Sequence, residues 1–166
     1  MARRPILLPI CLMLALGLAA CTPAPEAEVA RAATPAIPLH PNETPELRSL
    51  INEYAELYDL PRTLLHRVII RESTHRPWAR NGPYYGLMQI LPATARSMGF
   101  RGQATDLLDA ETNLKYAGKY LRGAWMLANG DEARAVQLYA RGYWDVAKAA
   151  GMLEETGLKP ATASGT

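Results

Sequence analysis

From Pro45 onward the apolar residues recur at steps of three and four. Leu47, Leu50, Ile51, Tyr54, Leu57 and Tyr58 draw a single stripe, the pattern of an amphipathic helix. Thr44 suits the cap position ahead of it, and Pro45 suits the first helical position. Pro61 opens a second helix whose stripe is Leu64, Leu65, Val68 and Ile69. That helix should end near Ser73 or Thr74, because Pro77 disfavours helical backbone just before it. From His75 to Tyr85 periodicity is lost among Pro, Gly, Asn and aromatics, which predicts a loop with irregular extended structure. Pro92 opens a short helix that Gly99 closes. Asp109 or Thr105 then caps a longer helix reaching about Ala128, burying Leu114, Ala117, Leu121 and Trp125. After the Asn129-Gly130 turn, Asp131 starts a helix carrying Ala135, Leu138 and Tyr139. A last helix covers Trp144 to Ala150. No segment sustains a two-residue alternation, so the class is all-α.

The N-terminal region reads differently. Arg3 and Arg4 precede an apolar run from Ile6 to Ala20. The run is shorter than the ~20 apolar residues a comfortable membrane span needs, and Pro9 interrupts it. It ends in Leu18-Ala19-Ala20-Cys21. This is the form of an export signal over residues 1–20, and it resembles a bacterial lipobox in which Cys21 is acylated. Residues 21–43 carry Pro23, Pro25, Pro35, Pro38 and Pro41 with few apolar side chains, the composition of an extended tether. The folded domain is then 44–158, with 159–166 as a flexible tail. About 120 residues suffice for one core that buries roughly two-thirds of the unfolded surface.

Composition narrows the function classes. With Cys21 lipidated and Cys11 removed, the mature domain has no cysteine for a disulfide. The formal charge of +2 comes entirely from Arg3 and Arg4, and no face concentrates Lys and Arg, which argues against nucleic acid as a partner. The three histidines, His40, His66 and His75, have no metal-ligand spacing. No metal and no cofactor is expected.

Glu72 is the anomaly. It lies three residues after Ile69 and four after Val68, so it continues the apolar stripe of the second helix. It also sits at a helix C-terminus, where the macrodipole disfavours negative charge. Burial and dipole both raise a carboxyl pKa, while Arg71 and Arg76 oppose the rise. A carboxylic acid still protonated near neutral pH can give its proton to a glycosidic oxygen. Pairing with Arg76 is the structural alternative.

The residues around Glu72 decide more. Ser73 follows directly. Then come Gly86-Leu87-Met88-Gln89-Ile90, Pro92-Ala93-Thr94-Ala95, Asp109 to Leu114 with Asn113, Tyr120-Leu121, and Ala135 to Gly142 with Tyr139. This order resembles the lytic transglycosylases of the soluble-transglycosylase type (family 1), which have a goose-type-lysozyme-like fold. The resemblance spans roughly residues 45–145. It implies Glu72 as single catalytic acid and base, and Ser73 as the serine that orients carboxylate or substrate. It implies Met88 and Gln89 as cleft-lining residues, and Tyr139 as the tyrosine that hydrogen-bonds the glutamate. Gly86 suits close approach of the backbone to a sugar. Asn113 reads better as a structural residue at a helix start. Trp78, Tyr84 and Tyr85 offer faces to sugar rings, whereas Trp125 and Trp144 read as core.

Two departures stand out. The family's usual Tyr-Asn-x-Gly is here Tyr139-Ala140-Arg141-Gly142, and His75 stands where an aromatic residue is common. The implied substrate is the glycan strand of peptidoglycan, cut with formation of 1,6-anhydro-N-acetylmuramic ends. The rivals are a lysozyme-like hydrolase, for which Asp106 or Asp109 would position water, and an inactive glycan-binding lipoprotein, whose mark would be a replaced Glu72. The implied location is the bacterial envelope, held to the membrane through lipid on Cys21 and facing the periplasm. Thr22 lacks the aspartate character that retains lipoproteins at the inner membrane, which favours the outer one.

Overall fold

The computed structural model describes residues 37–159. The expected signal (1–20), the lipidation site Cys21, the tether as far as residue 36 and the tail from 160 lie outside them. Helices form where the stripes lie: α1 (Pro45–Leu57), α2 (Arg62–Glu72), α3 (Pro92–Ser97), α4 (Ala110–Asn113), α5 (Lys119–Ala128), α6 (Glu132–Arg141) and α7 (Trp144–Ala150). The described residues add one two-stranded hairpin, β1 (Arg80–Asn81) with β2 (Tyr84–Tyr85), antiparallel with Arg80 opposite Tyr85. Gly82, at φ +57°, supplies the positive φ that the first position of its two-residue turn requires. The loop predicted between α2 and α3 is thus partly ordered by strand pairing.

The caps follow simple chemistry. Thr44 Oγ1 accepts the Leu47 N–H at 3.2 Å, and Asp109 Oδ1 accepts the Thr112 N–H at 2.8 Å. Asp131 Oδ1 accepts the Arg134 N–H at 3.0 Å. Each satisfies a donor that a helix start leaves orphaned. Between α4 and α5 the helix widens into a π turn over Leu114–Gly118. The buried stripe runs on through Leu114, Ala117, Leu121, Ala124 and Ala128, so Ala124 is in the core and Trp125, expected there, is half-buried. Leu57, placed on the first stripe by its spacing, lies past the end of the contact and is 65% exposed.

The core runs from Ile51 and Ala55 of α1 through Leu64, Leu65, Val68 and Ile69 of α2. It continues to Leu87, Met88, Leu114, Leu121 and Ala135, all essentially without solvent contact. Burying each large aliphatic side chain is worth about 1.5–3 kcal/mol. α2 therefore crosses the centre of the domain, and its last residue, Glu72, emerges at the edge.

Two expected boundaries shift. The end of the tether was placed at residue 43, yet Glu43 is buried. Arg48 donates to it from Nε and Nη2, both at 2.5 Å, and Asn42 Nδ2 donates to the Thr74 carbonyl at 2.9 Å. Burial pushes the Glu43 carboxyl up, but the Arg48 and His40 hydrogen bonds outweigh it and hold it at about 2. The reason is an acid–guanidinium pair that composition alone does not reveal. At the other end Lys159, expected to begin the tail, donates its N–H to the Leu153 carbonyl at 2.9 Å.

Candidate active site

Glu72 closes α2 with its side chain 23% exposed. It lines a cavity of about 380 Å³ together with Arg76, Trp78, Ala79, Arg80, Asn81 and Gln89. Burial raises the Glu72 pKa above its ordinary value, and the charge of Arg71 opposes this. The Arg71 Nε stands 3.6 Å from Oε1. Desolvation wins because one flank of the carboxyl is core while Arg71 is itself half in water. Arg76 is partly committed elsewhere: its Nε donates to the Ser73 carbonyl at 2.7 Å, covering a free carbonyl at the end of α2. A larger hollow of about 780 Å³ between Met98, Lys119, Arg122 and Thr156 contains none of the predicted site residues. The half-buried acid lies in the smaller of these two.

The predicted site residues divide into two groups. Gln89 joins Glu72. It adopts φ +49°, and its Nε2 donates to the Ala79 and Gly86 carbonyls at 3.0 and 2.9 Å. It thereby forms part of the wall of the Glu72 cavity and of a neighbouring one of about 200 Å³. Tyr84, Tyr139, Ala140 and Gly142 line that second cavity too. Trp78 and Tyr84 are exposed at 66% and 42%, so two of the three aromatic faces expected for sugars are open. The third, Tyr85, is buried, with the Arg80 guanidinium 4.8 Å over its ring. Trp144, read as core, is largely exposed.

Ser73, Gly86 and Met88 occupy other places than expected. Ser73 is buried, and its hydroxyl donates to the Leu87 carbonyl at 2.7 Å rather than to the Glu72 carboxyl. It also accepts the Arg76 N–H at 3.3 Å. Gly86 has φ +77°, and a Cβ there would stand 2.1 Å from the Leu107 carbonyl oxygen and 2.3 Å from Asn113 Nδ2. The close approach that demands glycine is to protein. Met88 is fully buried and fills the core. Its N–H donates to Asn113 Oδ1 at 2.9 Å, and its carbonyl accepts the Tyr139 hydroxyl at 2.8 Å. Tyr139 thus spends its proton on Met88 and meets Glu72 through charge. Burial first, then the Glu72 charge, raise its pKa well above the ordinary phenol value.

Asn113 ties these pieces together. Its Nδ2 donates to the carbonyls of Tyr85 (2.9 Å) and Leu107 (2.8 Å), while its Oδ1 holds Met88. It is structural, as expected, although Asp109 is the cap and Asn113 sits at the far end of α4. A buried asparagine with three backbone partners is a clamp for irregular chain.

Arg80 and Asn81 were not singled out from the sequence, and Arg76 only as a possible partner of Glu72. Their signal was the hairpin itself, whose two-residue turn at Gly82-Pro83 folds the loop back over Glu72. Two further findings concern the turn after Glu72. Thr74 and His75 both have positive φ, +53° and +58°, which is rare for a β-branched residue. In addition His75 meets His40 and His66, although their spacing in sequence carried no ligand signature.

A family model described as "Transglycosylase SLT domain" matches residues 49–158, well over half of the chain. No solved structure matches it.

Proposed function

The chain belongs to the transglycosylase SLT domain family of lysozyme-like, peptidoglycan-cleaving enzymes, and from that premise we propose a lytic transglycosylase in which Glu72 serves as both acid and base. Glu72 first protonates the oxygen leaving C1 of N-acetylmuramic acid. The substrate's N-acetyl group supports the positive charge that develops. The Glu72 carboxylate then takes the proton of the C6 hydroxyl as that oxygen attacks C1. The products are a 1,6-anhydro end and a free 4-hydroxyl, with no water consumed. One residue thus acts twice, within general acid–base logic.

A single observation carries this reading. Among the described residues Glu72 is the only carboxylate lining its cavity. A hydrolase of the common kind needs a second one. The two candidates from the sequence are engaged elsewhere: Asp106 Oδ2 accepts the Gln103 N–H at 2.8 Å, and Asp109 caps α4. Retention of a half-buried, pKa-raised Glu72 also speaks against the inactive binding protein. Trp78 and Tyr84 supply sugar-stacking faces in this proposal, and Gln89 a polar wall. The proposal extends to location. With Cys21 acylated, the chain faces the periplasm from the membrane, the outer one in preference.

The test is product analysis. The full chain in detergent is incubated with purified peptidoglycan, and released muropeptides are weighed by mass spectrometry. Anhydro ends are expected; reducing ends carrying added water would sink the transglycosylase in favour of a hydrolase. Glu72→Gln should cut release on the order of 10³-fold with the fold intact. Because the first step needs protonated Glu72, release should fall as pH rises through its raised pKa. A rate that keeps climbing into alkali would remove Glu72 as the acid.

A further inference from the structure

The Glu72 chemistry uses none of the three histidines, yet the fold brings them together from three places. His40 comes from the segment ahead of α1, His66 from the middle of α2, and His75 from the left-handed turn after Glu72. One ring nitrogen of each lies within 4.8 Å of the other two. His66 Nδ1 and His75 Nε2 are 3.1 Å apart. Glu43 Oε1 stands 3.8 Å from both of these nitrogens. A tetrahedral zinc ion with bonds of ~2.0–2.1 Å sets its ligand atoms about 3.3 Å apart. Two imidazoles and a carboxylate therefore already approximate one face of that tetrahedron, with the His40 ring beside it.

We propose that His40, His66, His75 and Glu43 form a site for a zinc-type divalent cation that fastens the N-terminal segment to α2 and to the turn beside Glu72. The donor set fits: imidazoles with one carboxylate oxygen favour zinc over the hard cations calcium and magnesium. His75 is the most enclosed member of the group: it is fully buried, and the nitrogen it turns toward the other members is Nε2. The polar groups it meets through Nε2 are His66 and Glu43, both members of the site. Arg48 is the opposing cation. Its two bonds to Glu43 neutralise it, and Oε1 is shared between the guanidinium and the metal.

The test reads metal and not glycan, so its outcome is separable from that of the Glu72 reading. The full chain in detergent is stripped with chelator and titrated with zinc alone, then with cobalt alone. One zinc per chain should survive gel filtration, raise Tm, and be replaceable by cobalt with the absorption of a tetrahedral complex. His40→Ala removes a half-buried ligand outside the helical core and is expected to fold. It should weaken zinc binding by at least about 100-fold, the upper range seen when only outer-shell partners are lost. Absence of retained zinc in the unaltered chain would overturn the proposal. So would equal retention by His40→Ala, which would place the metal elsewhere, as on Cys11 or Cys21.

Discussion

The layer behind Glu72 and the wall in front of it come from the same stretch of chain, residues 73–89, and spend their polar groups in opposite ways. Behind, Ser73, Gly86 and Met88 turn inward. The side chain of Ser73 and the backbone of Met88 bond to Leu87, Asn113 and Tyr139, and the space beside Gly86 is filled by Leu107 and Asn113. In front, Trp78, Arg80, Asn81 and Gln89 border open space next to the carboxyl. The difference teaches that residue types shared by a motif need not share a task. Here Gly-Leu-Met-Gln contributes one wall residue, Gln89, and three residues that hold the wall in position.

The comparison can be broken most forcefully at Asn113. Asn113→Leu keeps the volume, leaves the Met88 N–H and the Leu107 carbonyl without the Asn113 partner, and leaves the Tyr85 carbonyl with the Ile90 N–H alone. A loss on the order of 3 kcal/mol is expected in urea unfolding, with release of muropeptides falling alongside. If stability held while release fell, Asn113 would belong to the wall. Ser73→Ala comes next. It orphans the Leu87 carbonyl and should cost about 1–2 kcal/mol, with kcat within ~10-fold of the parent. A large kcat loss at unchanged Tm would mean that the serine touches substrate. Trp78→Ala is the mildest for the fold. Stability should stay within about 0.5 kcal/mol, while kcat/KM on soluble glycan fragments drops about 10-fold, equivalent to ~1.4 kcal/mol of lost stacking. A drop in Tm matching the drop in rate would move Trp78 to the supporting layer.

The helices were legible because their signals are local. Stripes, prolines and caps occupy neighbouring positions, and Thr44, Asp109 and Asp131 cap as their residue types suggest. Glu72 was legible as well, since an acid on an apolar stripe is a one-dimensional fact that the fold turns into half-burial. What escaped was non-local. The partners of Ser73 and Met88 lie 14 and 25 residues away, so nothing in the motif tells whether a hydroxyl faces sugar or a carbonyl. The π turn escaped because widening a helix by one residue leaves no mark in composition. The histidine group escaped because its members are 26 and 9 residues apart, and only the end of α2 and the Asn42–Thr74 contact bring them together. The buried Glu43 escaped for the same reason: a proline-rich stretch looks solvated until its one guanidinium partner is known.

That early contact has a mechanical side. Tension applied at Ile37 first meets a side chain of α1: Arg48 donates to the Ile37 and Pro38 carbonyls at 3.5 and 3.0 Å. It then meets the Glu43–Arg48 pair and the Asn42 bond to Thr74, and the second of these ends two residues from Glu72. The segment acts as a strain relief: a pull from upstream must shear these contacts before it can unwind the first helix. The same arrangement passes part of the load, through Asn42, to the turn that follows Glu72.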